Sequence, residues 1–217
     1  MNFFEQLQER TAPERAYLLG SPVIEQALAG NVSRQTYVAF LEQAYHHVKH
    51  TVPLLMACGS CLPGRLEWLR RAVAKYIDEE TGHEDWILED IAACGADPEA
   101  VRSGAPALAT ELMVAYVYDR IARGNPVSFF GMVNVLEGTS IALATRAAEV
   151  LRESLRLPPG AFRYLDSHGS LDLEHMKFFE DLMSRLDREE DRAAVVHTAK
   201  VVYRLYGDVF RGLPRSA

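Results

Sequence analysis

The chain has 217 residues, a length that suits one domain better than two. Hydrophobic residues make up 48% and charged residues 24%, which is the composition of a globular protein and not of a disordered or fibrous one. The 23 Lys and Arg against 30 Asp and Glu give a net charge of −7 without a basic patch, so neither a nucleic acid nor a membrane surface is expected as a partner.

Apolar residues recur at spacings of three and four along most of the chain, and the alternating runs typical of strands are nearly absent. The first predicted helices, in chain order, are a short one at 3–9 or 16–29, one that starts after the N-cap Ser33 and ends near His50 or kinks at Pro53, and one from Pro63 to Gly95. The next lies between Pro106 and Gly124, with Leu108 and Leu112 on its apolar stripe, and is followed by one from Asn125 to about 151. The last two lie at about 161–186, continuous or interrupted at Gly169, and at about 188–210. We predict a single all-α domain over residues 1–217 with about seven helices.

From the sequence we expect neither a secretion signal nor a membrane-spanning segment. Its apolar runs fall short of the roughly 20 residues that span a bilayer. Residues 1–10 contain no apolar signal core. Three cysteines, an odd number, fit a reducing compartment better than a disulfide framework, so we expect a cytoplasmic protein.

Two predicted helix faces combine acidic or imidazole groups with apolar neighbours, where an unpaired charge costs several kcal/mol. In the helix after Pro63, Glu80 continues an apolar stripe, and His83 follows one turn later. Glu137 shares its face with apolar residues and no Lys or Arg. A solvated face explains the other acidic residues near His83, namely Glu79, Glu84, Asp85, Glu89 and Asp90.

A third face holds His168, Asp172 and His175 at positions i, i+4 and i+7, all on one side of a helix and within about 10 Å. An ordinary buried ion pair would need a basic partner, which the three faces do not supply. Carboxylates mixed with imidazoles are ligands that suit iron or manganese, and the absence of a Cys ligand argues against structural zinc. We therefore predict two divalent metal ions, Fe(II) or alternatively Mn(II), bound by Glu80, His83, Glu137, His168, Asp172 and His175.

The same residues resemble the haem-oxygenase-like di-iron oxidases and oxygenases. This family belongs to the superfamily of thiaminase II (TenA), the pyrroloquinoline quinone synthesis protein C and haem oxygenase. The resemblance covers about residues 21–210. It implies a haem-oxygenase-like helical bundle, O2 as co-substrate, and Glu137 or Asp172 as the bridging, catalytic carboxylate. For the sixth ligand, the resemblance points to Glu80 or Tyr76; Glu80 is the carboxylate of the two, and Glu79 is the fallback.

The resemblance also implies alternatives. Thiaminase activity is not expected, because the catalytic Asp of that branch is replaced by Ala44 and its nucleophilic Cys falls where this chain has Leu136 and Glu137. Haem oxygenase is disfavoured because residues 1–32 contain no axial His. A metal-free hydrolase or oxidase of cofactor metabolism stays open, as does a non-catalytic bundle that binds a metal or ligand.

Further residues can contribute to a substrate pocket for a small fatty-acid-, amino-acid- or aromatic-type molecule. We expect His46, His47, His50 and Tyr76 there. Cys58-Gly59-Ser60-Cys61 lacks the strand-then-helix context of a thioredoxin-like redox motif. The resemblance implies a homodimer or a higher homo-oligomer.

Overall fold

The computed structural model describes residues 1–214, and within that range all side chains except those of residues 168–174. Throughout these residues the regular structure is helical, as predicted, but there are more helices than the seven expected. They are α1 (Phe3–Arg10), α2 (Ala12–Leu19), α3 (Pro22–Leu28), α4 (Arg34–Val48), α5 (Thr51–Cys61), α6 (Glu67–Glu80), α7 (His83–Ala93), α8 (Pro98–Ser103), α9 (Leu108–Arg123), α10 (Phe129–Leu155), α11 (Arg163–Ser184) and α12 (Glu189–Gly212), with short 3-10 turns at Gly64–Leu66, Pro126–Ser128 and Pro159–Ala161.

Two local signals set the bounds of α4 and α5. Ser33 caps α4 as predicted, because its hydroxyl accepts a hydrogen bond from the Thr36 N–H at 3.1 Å. α4 ends at Val48, and α5 begins at Thr51. Pro53 therefore lies in the first turn of a new helix, where a missing N–H leaves no hydrogen bond unmade.

The long helix predicted between Pro63 and Gly95 is in fact two helices. α6 ends at Glu80 and α7 begins at His83, and between them Gly82 has φ 91°, a left-handed conformation that glycine adopts without steric cost. The prediction of one helix was wrong because the apolar period is the same on both sides of Gly82. The predicted end at Gly95 is confirmed by its φ of 74° just beyond α7.

α10 is the central helix and packs against both α11 and α12. By length and composition it could cross a membrane, but 61% of its most apolar 18 residues is buried among the other helices, as in a core helix. α11 runs through Gly169 without interruption. α12 turns one apolar stripe into the core, where Val195, Ala199, Val202, Tyr206 and Val209 are all buried.

The predicted orientation of α9 is wrong. Leu108 and Leu112, placed on its apolar stripe, are 69% and 48% exposed. The helix instead buries Met113, Val117 and Ile121. Both stripes have helical spacing in the sequence, so the pattern alone does not choose between them.

Candidate metal centre

Glu80 and His83 lie on either side of the break between α6 and α7, and their side chains are in contact. His83 Nδ1 is 3.0 Å from Glu80 Oε2, and the two side chains are only 5% and 11% exposed. The contact does not arise from successive turns of one helix, as the sequence suggested. The left-handed turn at Gly82 joins the two helices that bring the side chains together.

His175 of α11 completes a cluster of acidic and imidazole groups. Its Nδ1 atom is 3.5 Å from Glu80 Oε1 and 3.7 Å from Glu137 Oε1. The side chains of Glu137 and His175 are largely buried. Four predicted ligands, Glu80, His83, Glu137 and His175, therefore converge from four different helices.

The other two predicted ligands, His168 and Asp172, belong to α11. Their side chains lie outside the described residues. Among the side chains that are described, no group of three or more His, Cys, Asp or Glu residues is arranged to hold a metal ion.

The chemistry of the four described groups nevertheless fits a divalent cation. Glu80 and Glu137 place two carboxylates in a largely buried space, and the ion-pair contacts that described residues make with them come from imidazole rings. Buried carboxylates need compensating positive charge, because desolvation penalises the charged form. A cation bound between carboxylates and neutral imidazoles supplies that charge.

Glu79 lies at the solvent edge of this cluster. Its side chain is 34% exposed, and its Oε1 is 3.4 Å from Lys75 Nζ. Its Oε2 is 3.6 Å from His175 Nε2. Glu80, in contrast, is buried and contacts both His83 and His175, so these distances favour Glu80 over Glu79 as the sixth ligand.

Aromatic rings enclose the cluster on two sides. The ring of Tyr76, 2% exposed, lies edge-on to His175 with 5.6 Å between centroids. Trp86 stacks on His83 at 4.1 Å, and the Arg163 guanidinium lies 5.0 Å from the centroid of the Trp86 ring. These contacts restrict the orientation of both imidazoles, as the supporting residues of a metal site do.

A cavity of about 170 Å³ lies beside the cluster, and Tyr76, Glu80 and Glu137 help to line it. Most of its other lining residues are aliphatic or aromatic and come from α3, α4, α5, α10 and α12. An apolar cavity with a few convergent polar groups is typical of a site for a small organic molecule.

Of the three histidines expected at the pocket, the structure places His47 in the cavity lining. His46 Nδ1 is 3.3 Å from Lys49 Nζ, and His50 Nδ1 is 3.2 Å from the Tyr118 hydroxyl, so these two rings contact groups outside the lining. Burial lowers the pKa of His46 and of His50, and the nearby Lys49 charge lowers both further.

Asp90 is the positioning residue that the sequence interpretation missed. The sequence predicts a solvated face for Asp90, but the residue is fully buried and accepts hydrogen bonds from the backbone N–H groups of Arg163 and Tyr164 at the start of α11. It thereby ties the helix of His83 to the helix of His175. The available signal was spacing, because Asp90 follows His83 by seven residues and so lies on the same buried face of α7.

The cysteines take no part in this site. Cys58 is buried in α5, and burial raises its pKa to about 12. Cys61 is exposed, and all three cysteines are free. No cysteine is among the described residues that line the cavity.

Several solved structures are similar to this chain over almost its whole length. A domain of unknown function with a haem oxygenase-like fold from Shewanella denitrificans is 26% identical, with a TM-score of 0.84 over 97% of this chain and 90% of that one. A TenA homologue from Pseudomonas syringae is 15% identical, with a TM-score of 0.80 over 96% and 91%. A haem oxygenase from Leptospira interrogans is 17% identical, with a TM-score of 0.78 over 98% and 100%. The predicted haem-oxygenase-like fold is confirmed.

No curated protein matches the chain. A family model does match, however, over residues 38–207, which is most of the sequence and includes all six predicted ligands. Its description is that of an iron-containing redox enzyme. The chain belongs to this family of iron-containing redox enzymes.

Proposed function

We propose that the protein is a non-haem di-iron oxidase or oxygenase that uses O2 to oxidise a small organic substrate. The observation that carries this proposal is the convergence of Glu80, His83, Glu137 and His175 at one side of an apolar cavity. Membership of the iron-containing family supports iron as the metal. Two ions are our inference from the ligand set, and the use of O2 is what the resemblance to haem-oxygenase-like di-iron oxidases implies.

In this proposal Glu80, His83, Glu137 and His175 bind two Fe(II) ions together with His168 and Asp172 of α11. Mn(II) is the alternative metal for the same donors. Three carboxylates carry less charge than two divalent ions, so metal binding removes the repulsion among these acids. When bound, the iron supplies the activation of O2 and the oxidation of the substrate.

The chain's own residues hold the site and control its protons. Glu137 lines the cavity and lies beside the His175 ring, so its carboxylate can hold a proton between the cluster and a bound molecule. The resemblance implies Glu137 or Asp172 as the catalytic carboxylate. Tyr76 and the apolar walls exclude water from the cluster.

A metal-free enzyme of cofactor metabolism is the second candidate. The observation in its favour is His47, an imidazole in the cavity lining that can act as an acid or base without metal. A non-catalytic bundle that stores metal or ligand is a third hypothesis. Metal binding distinguishes the di-iron oxidase from the metal-free enzyme, and reaction with O2 distinguishes the oxidase from the storage protein.

The test is anaerobic titration of the metal-free protein with Fe(II), with bound iron measured after removal of free ions. The proposal requires about two equivalents of iron per chain. Glu137→Gln should lower this number. Glu149→Gln, an exposed position on the same helix, is the matched control and should bind iron like the wild type.

Iron-loaded protein is then exposed to O2. A change in the optical spectrum of the iron-loaded wild type, absent in Glu137→Gln, supports the oxidase. Absence of iron binding to the intact wild-type protein contradicts the proposal and favours the metal-free enzyme. Iron binding without any reaction with O2 favours storage.

A further inference from the structure

An open groove lies between α6 and α11 and shares none of its described lining residues with the apolar cavity. Its lining combines two aromatic side chains, Trp68 and Phe178, with three cationic ones, Arg71, Lys75 and Arg185. The cations come from helices that are far apart in the sequence, so no run of basic residues indicates the groove. Tryptophan and arginine are enriched where proteins bind each other. The composition of the groove therefore fits a protein partner.

The groove carries a positive charge, whereas the chain as a whole has a net charge of −7. Glu67 is the one acid among the described lining residues, and it is already ion-paired with Arg70. Lys75 is ion-paired with a glutamate outside the lining. Arg71 and Arg185 are exposed, and neither forms an ion pair with a described carboxylate. Arginine binds carboxylates through paired hydrogen bonds, so these two side chains fit an acidic surface.

Two ring contacts connect the groove with the predicted metal centre. The Phe178 ring in the groove lies 5.5 Å from the Tyr76 ring, measured between centroids. Tyr76 in turn lies 5.6 Å from the ring of His175, a predicted ligand. A protein that docks in the groove is thereby brought close to the metal centre without entering the cavity. Such proximity is what electron transfer between two proteins requires.

The proposed function calls for an electron donor. An oxygenase that inserts one atom of O2 into a C–H bond releases the other atom as water, and this balance takes two electrons and two protons that the substrate does not supply. An oxidase that removes two electrons from its substrate and reduces O2 to two molecules of water takes the same number. A one-electron carrier must therefore dock twice in each turnover, which requires a weak, short-lived complex. Small interfaces are typical of such complexes.

The cations also argue against a flat nucleotide as the occupant of the groove. Arg185 lies over the Trp68 ring, with its guanidinium carbon 4.1 Å from the centroid. Lys75 Nζ lies over the Phe178 ring at 4.3 Å. A flavin or nicotinamide ring would compete with these cations for the aromatic faces, to which the cations are attracted. The carboxylates of a protein surface would instead bind the cations where they are.

We propose that this groove is the docking site of an acidic one-electron carrier protein, whose carboxylates bind Arg71 and Arg185 and whose redox centre delivers electrons toward His175. The excess of acidic side chains elsewhere on the chain repels such a carrier and so favours its approach at the groove. As a statement about electron delivery, this proposal rests on the proposed function. As a statement about docking, it can be tested without metal.

The first experiment measures the binding of a two-iron ferredoxin of the plant type, an acidic one-electron carrier, to the full, metal-free chain by titration calorimetry. Binding is expected at an ionic strength of about 0.01 M and should be lost at about 1 M, because salt screens the attraction between exposed charges. Absence of binding at the lower ionic strength overturns the proposal.

Charge-reversal variants locate the carrier. Arg71→Glu and Arg185→Glu should each weaken ferredoxin binding on the order of tenfold at low ionic strength. Arg123→Glu is the matched control, since it changes the net charge equally at a position on α9 whose side chain is 81% exposed. It should alter the affinity by no more than about twofold. Equal effects of the control and the groove variants would mean that net charge alone governs binding, and this result contradicts a docking site. Circular dichroism and melting temperature establish that each variant is folded.

Electron delivery is tested on the iron-loaded protein after oxidation. Stopped-flow spectroscopy follows its reduction by reduced ferredoxin, which Arg71→Glu should slow on the order of tenfold at low ionic strength. Dithionite is a small reductant that needs no docking site, so it should reduce the wild type and Arg71→Glu at the same rate. Equal slowing with both reductants would mean that the variant disturbs the metal centre, and the role of the groove in electron delivery would be wrong.

These measurements separate this inference from the proposed function. A protein that binds ferredoxin but no iron keeps the docking site and loses the proposed function, and with it the role in electron delivery. A protein that binds iron but no ferredoxin keeps the proposed function and loses the inference. If flavin mononucleotide binds to the wild type but not to Arg71→Glu, and ferredoxin binds to neither, the occupant of the groove is a nucleotide and the proposal of a carrier protein is overturned.

Discussion

The Asp90 carboxylate accepts a hydrogen bond from the backbone N–H of Tyr164 at 2.9 Å, which joins α7 to the first turn of α11. Its other oxygen accepts from the Arg163 N–H at 3.0 Å. These N–H groups are among those that a helix N-terminus leaves without an acceptor in its own helix. Asp90 therefore caps α11 from a neighbouring helix and positions His175 relative to His83.

Loss of this cap should destabilise the protein. Asp90→Ala leaves two buried N–H groups without an acceptor and is expected to lower the free energy of unfolding by about 2–4 kcal/mol. Asp90→Asn keeps one acceptor oxygen and should lower it less. Urea unfolding followed by circular dichroism measures both changes, and an unaltered midpoint for Asp90→Ala would contradict the capping role.

The positioning role of Asp90 requires a second measurement, made on folded protein. Asp90→Asn should weaken Fe(II) binding, because α11 loses part of its attachment to α7. Asp191, in the first turn of α12, is the matched control. It is as buried as Asp90, but its carboxylate forms an ion pair with the Arg65 guanidinium at 2.6 Å. Asp191→Asn should lower stability and leave Fe(II) affinity unchanged. If both variants lose affinity equally, Asp90 has only a structural role.

The stability of the protein should also depend on pH through Asp90. Burial raises the pKa of Asp90 to about 6, although its backbone hydrogen bonds lower it. The folded chain thus binds this proton more tightly than the unfolded chain, where the pKa is about 3.9. The contribution of the group to stability is present below about pH 4 and is lost as the pH rises to about 6.

The variant Asp90→Asn removes this titration, so the prediction concerns the difference between two proteins. The free energy of unfolding of the wild type minus that of Asp90→Asn should decrease between about pH 4 and pH 7, by no more than about 2 kcal/mol. Denaturation at a series of pH values measures the difference. An increase with pH would mean that the carboxylate is stabilised by its N–H partners more than it is destabilised by burial.

The sequence predicts the parts of the site that depend on local spacing. Glu137 stands out because its helix face is otherwise apolar, and the structure buries it beside the cavity. The break at Gly82 is not predictable from the spacing of apolar residues, because that spacing continues unchanged from α6 into α7. The acceptor role of Asp90 depends on partners more than 70 residues away, and no local pattern encodes such a contact.

The crossing of α10 and α12 should not tolerate a side chain at Gly131. A Cβ atom there would lie 2.5 Å from the Val195 carbonyl oxygen and 2.6 Å from the Ala199 nitrogen, and backbone atoms cannot move aside cheaply. Gly131→Ala is expected to lower the free energy of unfolding by about 2–3 kcal/mol. Thermal melting measures the effect.

Gly138 provides the control for this crossing on the same helix. Among the described side chains, the one that a Cβ atom at Gly138 meets is Met176, whose methyl group lies at an ordinary 3.7 Å. Gly138→Ala should therefore raise stability by up to about 1 kcal/mol, the usual gain from replacing glycine within a helix. Similar melting temperatures for the two variants would contradict the close approach of α10 and α12.

The choice between Glu80 and Glu79 as a metal ligand has a direct test. Glu80 contacts both His83 and His175 in a buried position, so Glu80→Gln should reduce the number of Fe(II) ions bound. Glu79→Gln should retain the wild-type number, because Glu79 is partly exposed and paired with Lys75. Iron content after anaerobic loading distinguishes the two, and the reverse pattern would make Glu79 the ligand.

The three cysteines should differ sharply in reactivity. Burial raises the pKa of Cys58 to about 12 and that of Cys94 to about 11, so at neutral pH neither offers an accessible thiolate. Cys61 is exposed at the end of α5. Iodoacetamide should therefore modify Cys61 alone in the native protein and all three thiols in urea, as mass spectrometry would show. Cys61→Ser should abolish the modification of the native protein. Rapid labelling of Cys58 in the native protein would instead mean that α5 opens, and the Cys58–Cys61 pair would again be a candidate redox site.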